Sequence, residues 1–235
     1  MRTILFTKLN KIDSDTTTKK INFVESADQL TKENEIFIVD DNEANIEAFM
    51  DETDQVYIPF KLLDRATAKG NVHVYFELEQ YPFFQKIKDA ITVPKGVLHF
   101  KRTISTAEST QLIASDLIVF SAILGEPVDV KVKQTNPTVA PHHQIVTVNF
   151  GEGTMAHLEY TIGKADEKIE LEWSGIKQII EFDSEEMKPL VPGGYTSLPL
   201  TFSVDSILTT AVKADEKLLE RLQKFTQLIT GGAKV

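Results

Sequence analysis

Val148-Asn149-Phe150-Gly151-Glu152-Gly153-Thr154-Met155-Ala156-His157 reads as two strands joined by a tight turn, and its surroundings decide the fold. Glycines on either side of one polar residue allow the left-handed backbone of a hairpin turn, and apolar residues flank them. Toward the N-terminus Ile145–Phe150 alternates with period two, and before it Val128, Val130 and Val132 alternate with Asp129, Lys131 and Lys133. Toward the C-terminus the same period runs through Met155–Ile162, Ile169–Trp173 and Ile179–Phe182. Strands that follow one another without helices predict an antiparallel sheet, with one face on a core and one open to solvent or a partner. Upstream, Glu108–Leu124 predicts a long amphipathic helix with Ile113, Leu117, Phe120 and Leu124 on one stripe and Gly125 ending it. Before that helix, Gly96–Ile104 predicts a strand with Leu98, Phe100, Arg102 and Ile104 on one face. Helical periodicity returns in Val204, Ile207, Leu208 and Ala211, then in Leu218, Leu222, Phe225 and Ile229.

Residues 1–93 follow a different rhythm. Thr3–Thr7, Glu35–Val39, Gln55–Phe60 and Val72–Phe76 are short apolar runs of the kind buried on both faces in a parallel sheet. A polar loop spans Lys8–Lys20. Helices are expected from a cap at Asp41 or Asn42 to about Glu52 (Ile46, Phe49 and Met50 inward), over Lys61–Lys69 with Gly70 as a stop, and around Phe83–Ile91. Strand and helix in alternation imply βαβ units. The fold class is therefore α/β plus α+β: a truncated, Rossmann-like parallel domain over 1–94, then an open antiparallel sheet domain with flanking helices over 95–235.

Composition narrows the function. The 235 residues are 42% hydrophobic and 26% charged, ordinary values for a globular chain. No apolar run approaches the ~20 residues of a membrane span, and Met1-Arg2-Thr3-Ile4-Leu5-Phe6 lacks the pattern of a signal peptide. The expected location is the cytosol. With zero cysteines there is no disulfide, thiolate nucleophile or thiolate metal site. A net charge of −10 opposes binding to phosphate backbones, so nucleic acid is not an expected partner, and without an apolar span neither is a membrane.

Three stretches carry a resemblance. Asp116-Leu117-Ile118-Val119-Phe120-Ser121-Ala122-Ile123-Leu124-Gly125-Glu126-Pro127-Val128-Asp129-Val130 resembles the helix-to-strand segment of the glucose-fructose oxidoreductase / inositol dehydrogenase (Gfo/Idh/MocA) family. The Val148–His157 hairpin is similar to that family's hairpin, and Glu35–Phe60 resembles the strand-helix-strand stretch leading to its Glu-Lys-Pro motif. The resemblance implies an NAD(P)-dependent oxidoreductase fold and a homo-oligomer assembled through the antiparallel sheet; within that dimer sheet His157 and Glu159 share a strand face read as exposed or subunit-facing, and Trp173 reads as sheet core or dimer contact.

The departures point away from the family's chemistry. A dinucleotide site needs glycines just after the first strand, whereas this chain has Lys8-Leu9-Asn10-Lys11-Ile12-Asp13 and its first glycine is Gly70. By position, the Glu-Lys-Pro lysine falls near Lys61, where no Glu-Lys pair exists, and the family's Asp/His proton-transfer pair falls on Gln111 and Ser115. These three residues define a vestigial cleft with no catalytic residue and no bound cofactor, and Lys61 is expected to point to solvent.

Other constellations have plainer readings. His142 and His143 are adjacent, so a strand would turn them to opposite faces, and no metal site is expected. His73 and His99 sit in apolar strands as core or edge residues, and Pro192-Gly193-Gly194-Tyr195 reads as a connector. Three functions remain open: a degenerate, non-catalytic binding, scaffold or regulatory protein; an oxidoreductase subunit with altered cofactor use or a complete paralogue as partner; and a small-molecule sensor using the old substrate cleft.

Overall fold

The computed structural model describes residues 2–13, 20–30, 35–41, 46–49, 54–63, 71–105, 109–185, 188–191, 194–196 and 200–230. The chain forms two compact units, Met1–Pro82 with Leu200–Glu220, and Phe83–Pro199 with Arg221–Val235.

The first unit is built on β1 (Thr3–Thr7), β2 (Ile12–Asp13), β3 (Ile21–Phe23), β4 (Ile36–Asp40), β5 (Gln55–Pro59) and β6 (Asn71–Tyr75), followed by the single-turn helix α1 (Glu77–Gln80). Strands β3, β4, β1, β5 and β6 lie side by side in that order, all parallel. The central strands read as continuous apolar runs because both faces are covered: Ile4, Leu5 and Phe6 are buried, as are Ile36 through Val39. Where the sequence predicts helices between strands, the described residues show 3-10 turns at Ile46–Phe49 and Phe60–Leu62. Ile46 and Phe49 are inward as expected. Asn42, Met50, most of Lys61–Lys69 and Gly70 lie outside the described residues.

The second unit contains α2 (Pro82–Ala90), β7 (Gly96–Ser105), α3 (Ser109–Leu124), β8 (Asp129–Gln134), β9 (His142–Gly151), β10 (Thr154–Gly163), β11 (Lys168–Gly175) and β12 (Ile179–Asp183). Its sheet has the order β12-β11-β7-β10-β9-β8. The expected hairpin closes β9 on β10, with Gly151 and Gly153 at φ 79 and 84. One pairing departs from the antiparallel expectation: β7 enters the middle of the sheet and runs parallel to β10. The inward row of β7 explains its central place, since Leu98, Phe100, Arg102 and Ile104 are all buried there.

Helix α3 is not the one-striped helix that the sequence suggests. Every residue from 113 to 121 is buried, because Ile118 and Val119 are apolar on the flank opposite the expected stripe. Phe120 meets Phe100 edge-on at 4.9 Å between ring centroids, and Phe83 of α2 stacks on Phe182 at 3.7 Å. Of the stretch read as a connector, Gly194 and Tyr195 lie in β14 (Gly194–Thr196), which pairs antiparallel with β13 (Lys188–Val191), while Pro192 and Gly193 lie outside the described residues. The chain then adds β15 (Phe202–Ser203), parallel to β2, followed by α4 (Val204–Thr210), β16 (Val212–Lys213), antiparallel to β6, and α5 (Glu216–Ile229).

Candidate functional site

Two buried charge clusters stand out, one in each unit. In the first unit the groups gather at the carboxyl ends of the parallel strands, the place where open α/β sheets bind ligands. Asp41 directly follows β4, and its N–H donates to the carbonyl of Thr7 at the end of β1 (3.1 Å). Lys61, in the turn after β5, brings Nζ to 2.8 Å from Asp41 Oδ2, with side-chain exposures of only 6% and 1%. The expectation that Lys61 points to solvent is thus wrong: it is buried because a carboxylate from a strand two places away neutralises it. Burial pushes the Asp41 carboxyl above its ordinary range, and the ammonium of Lys61 opposes that shift. Neither Asp41 oxygen has a hydrogen bond of good geometry among the described residues, and Thr7 Oγ1 has none either.

A second pair lies along the same edge. Lys11, in the 3-10 turn Leu9–Lys11 after β1, donates to Glu77 Oε2 at 2.9 Å and to the Tyr81 hydroxyl at 2.8 Å. Tyr75, at the end of β6, donates to the Phe6 carbonyl at 2.9 Å, and complete burial raises its hydroxyl well above its ordinary range. Gln80 of α1 ties this edge to α4 through Thr210 (2.8 Å) and Ser206 (2.9 Å).

In the second unit Arg102 of β7 is wholly buried, and its Nη1 donates to both oxygens of Asp116 on α3 at 2.7 and 3.0 Å. Its Nε donates to Glu167 at 2.8 Å, and Tyr160 of β10 donates to Asp116 Oδ2 at 3.3 Å. Burial, followed by the negative charge of Asp116, lifts the Tyr160 hydroxyl well above its ordinary range.

No family model matches the chain, and no curated protein matches it. Solved structures do match. A probable dehydrogenase from Thermotoga maritima superposes with a TM-score of 0.55 at 14% identity, over 97% of this chain and 86% of that one. A UDP-N-acetylglucosamine 3-dehydrogenase from Acidithiobacillus ferrooxidans gives 0.53 at 14% identity, over 100% of this chain and 90% of that one. The fold is that of the Gfo/Idh/MocA dehydrogenases.

A dinucleotide is the cofactor that the Gfo/Idh/MocA fold implies, and the residues after β1 do not fit it. A pyrophosphate needs free backbone N–H groups at a glycine turn. Here a glycine-free 3-10 turn carries Lys11, whose ammonium is spent on Glu77 and Tyr81. Of the residues assigned to a vestigial cleft, Lys61 lies in the first unit, while Gln111 and Ser115 lie on α3 in the second. Ser115 is 1% exposed and its hydroxyl has no hydrogen-bond partner among the described residues, so it is a packing residue. Gln111, one turn earlier, is half-buried. Among the described residues no group of three His, Asp or Glu could hold a metal ion, and no helix is long and apolar enough to cross a membrane.

His157 and Glu159 share the outer face of β10, with His157 Nε2 at 3.0 Å from Glu159 Oε1. Trp173 does not join them. It pairs across β7 with Leu98 on the covered face and is 1% exposed, so it is core rather than part of a partner-facing surface. The odd–even alternation of β11 dictates this, since Ile169, Leu171 and Trp173 all turn inward. Sequence reasoning took Asp41 for a helix cap and did not place it, Glu77 or Lys11 in a site. The signal available was a charged residue within four positions of the ends of β1, β4, β5 and β6.

Proposed function

We propose that this protein is a non-catalytic relative of the oxidoreductases that share its fold: a binding, scaffold or regulatory protein that self-associates through the open face of its second sheet. The glycine-free turn after β1 carries the reading, because the strand end that should receive a pyrophosphate bears a 3-10 turn and a committed lysine instead. Ser115 and Gln111, where the family resemblance puts an Asp/His pair, cannot exchange protons near neutral pH.

The outer sheet face suits a second copy of the chain. Val97, Met155 and Ile179 are exposed at 37%, 44% and 70%. Lys131 and Lys133 of β8 lie at one edge of this face, beside Asp129, and the facing carboxylates Glu172 and Glu181 lie near the other, beside the Lys101–Glu170 pair. A twofold apposition would set the basic edge of one copy over the acidic edge of the next.

A second reading keeps the oxidoreductase label. The chain covers 86% and 90% of the two dehydrogenases above, so both halves of the fold persist, and a complete paralogue could contribute the missing residues. Native mass spectrometry of the purified protein separates the two. The proposal expects a homo-oligomer without nucleotide; a nicotinamide dinucleotide carried through purification at stoichiometric occupancy contradicts it.

A further inference from the structure

We infer that a cavity at one end of the second sheet binds a small organic carboxylate with a body of single-ring size, held through the indole N–H of Trp173. This goes beyond the proposal above, since the cavity involves neither the charged strand ends of the first unit nor the outward residues of the second sheet. It lies where β11 ends and β7 begins, lined by the turn between β11 and β12 and by residues 91–93 after α2. All of these walls belong to the second unit. Hydrogen bonds fix them in place. Gly175 N–H donates to the Gln178 carbonyl at 3.0 Å, Ile176 N–H donates to the Lys95 carbonyl at 3.2 Å, and the Gln178 side chain donates to the Ala90 carbonyl. The cavity is therefore built by the fold.

Its chemistry selects the ligand. Trp173 is 1% exposed, yet no acceptor among the described residues takes its indole N–H. A buried indole ordinarily finds a partner, because an unmet donor has given up its hydration for nothing. Gly175 keeps that donor open to the cavity: a Cβ there would collide with Trp173 Nε1. Ile91, Val93 and Ile176 add apolar walls, and the last two are exposed, at the mouth. The volume of about 190 Å³ exceeds the roughly 150 Å³ of an apolar cavity that admits benzene, so a six-membered ring fits. Charge decides the polar group. In a chain of net charge −10, the one charged residue lining this cavity is Lys177, and no carboxylate lines it. An anion that accepts from the indole is also attracted by the ammonium, whereas a neutral acceptor gains only the first contact and a cation gains neither.

Trp173 is the sole tryptophan, so a nitrogen–proton correlation spectrum of the protein carries one indole resonance, which reports this donor directly. Benzoate at neutral pH should shift that resonance downfield and saturably, with a dissociation constant below about 1 mM. Benzamidine, of the same shape and opposite charge, should leave it in place. Gly175→Ala, which sets a methyl group against the indole nitrogen, should abolish the shift. Lys177→Met changes an exposed side chain and should weaken benzoate about fivefold, the scale of an exposed ion pair; this arm holds even if Gly175→Ala folds poorly. An indole resonance that benzoate does not move, one that benzamidine moves equally, or a benzoate affinity indifferent to Lys177→Met would each overturn the inference. Nucleotide binding or a monomeric state would instead sink the proposal above and leave the benzoate comparison standing, so the two failures can be told apart.

Discussion

The two buried charge clusters teach different lessons from similar ingredients. In the second unit Arg102 forks onto both oxygens of Asp116, Glu167 takes a further donor and Tyr160 completes the set. A planar guanidinium is suited to that arrangement, with several donors fixed in one plane. The cluster joins a strand, a helix and the β10–β11 loop, and nothing in it is left to bind. In the first unit point-charge lysines meet carboxylates across strand ends, and Asp41 and Thr7 retain unused hydrogen-bonding capacity. The saturated cluster sits inside the core and reads as architecture. The other spans the carboxyl ends of the parallel strands.

The contrast can be broken most forcefully at Asp116. Asp116→Ala would take from the wholly buried Arg102 the carboxylate that accepts both bonds of its Nη1. Removing one partner of a buried pair costs about 3–5 kcal/mol, readable as a shift of the urea midpoint. A loss below about 1 kcal/mol, the scale of an exposed pair, would show that the cluster does not tie α3 to the sheet.

Ser115 gives a smaller effect from the neighbouring position on the same helix. Ser115→His must place an imidazole where 1% of the residue is exposed, and overpacking of this kind costs about 1–3 kcal/mol. The pair Gln111→Asp with Ser115→His should show no hydride transfer to NAD or NADP. A neutral effect on stability would mean that an open cleft survives there.

The smallest effect is a slope. The folded-state pKa of Asp41 is raised, chiefly by burial and against the pull of Lys61. The native state thus holds this proton more tightly than the unfolded chain does. That contribution is fully present below the unfolded pKa and is lost as pH rises through the folded one. Wild-type stability measured relative to Asp41→Asn should therefore increase as pH falls from neutrality toward the ordinary carboxylate range. A difference that stays flat, or falls, would place Asp41 in a well-compensated pair like those of the second unit.

Local periodicity made much of the fold legible. The row Leu98, Phe100, Arg102 and Ile104 is buried as its spacing implies, and the Gly151–Gly153 turn closes the hairpin it announces. What the pattern could not show is who sits beside whom. Period two says that Trp173 shares a face with Leu171, but only the sheet register shows that this face is opposite the one bearing His157. The parallel entry of β7 beside β10 and the return of β16 onto β6 are long-range pairings without a local signature. The ion pairs join residues separated by long stretches of sequence, Lys11 with Glu77 and Arg102 with Glu167. Lys61 was expected in solvent because an unpaired ammonium is rarely buried; Asp41, the partner that reverses this, is recognisable only once β1 is known to separate β4 from β5.

The central claim is that a dehydrogenase fold persists here without a working dinucleotide cradle. Titrating the wild-type protein with NADH and NADPH, followed by nicotinamide fluorescence and calorimetry, tests it most directly. The account predicts no saturable binding up to about 1 mM, equivalent to an affinity weaker than roughly −4 kcal/mol. A saturable isotherm with a micromolar dissociation constant, about −8 kcal/mol, would contradict it and restore the protein to the cofactor-dependent enzymes whose fold it shares.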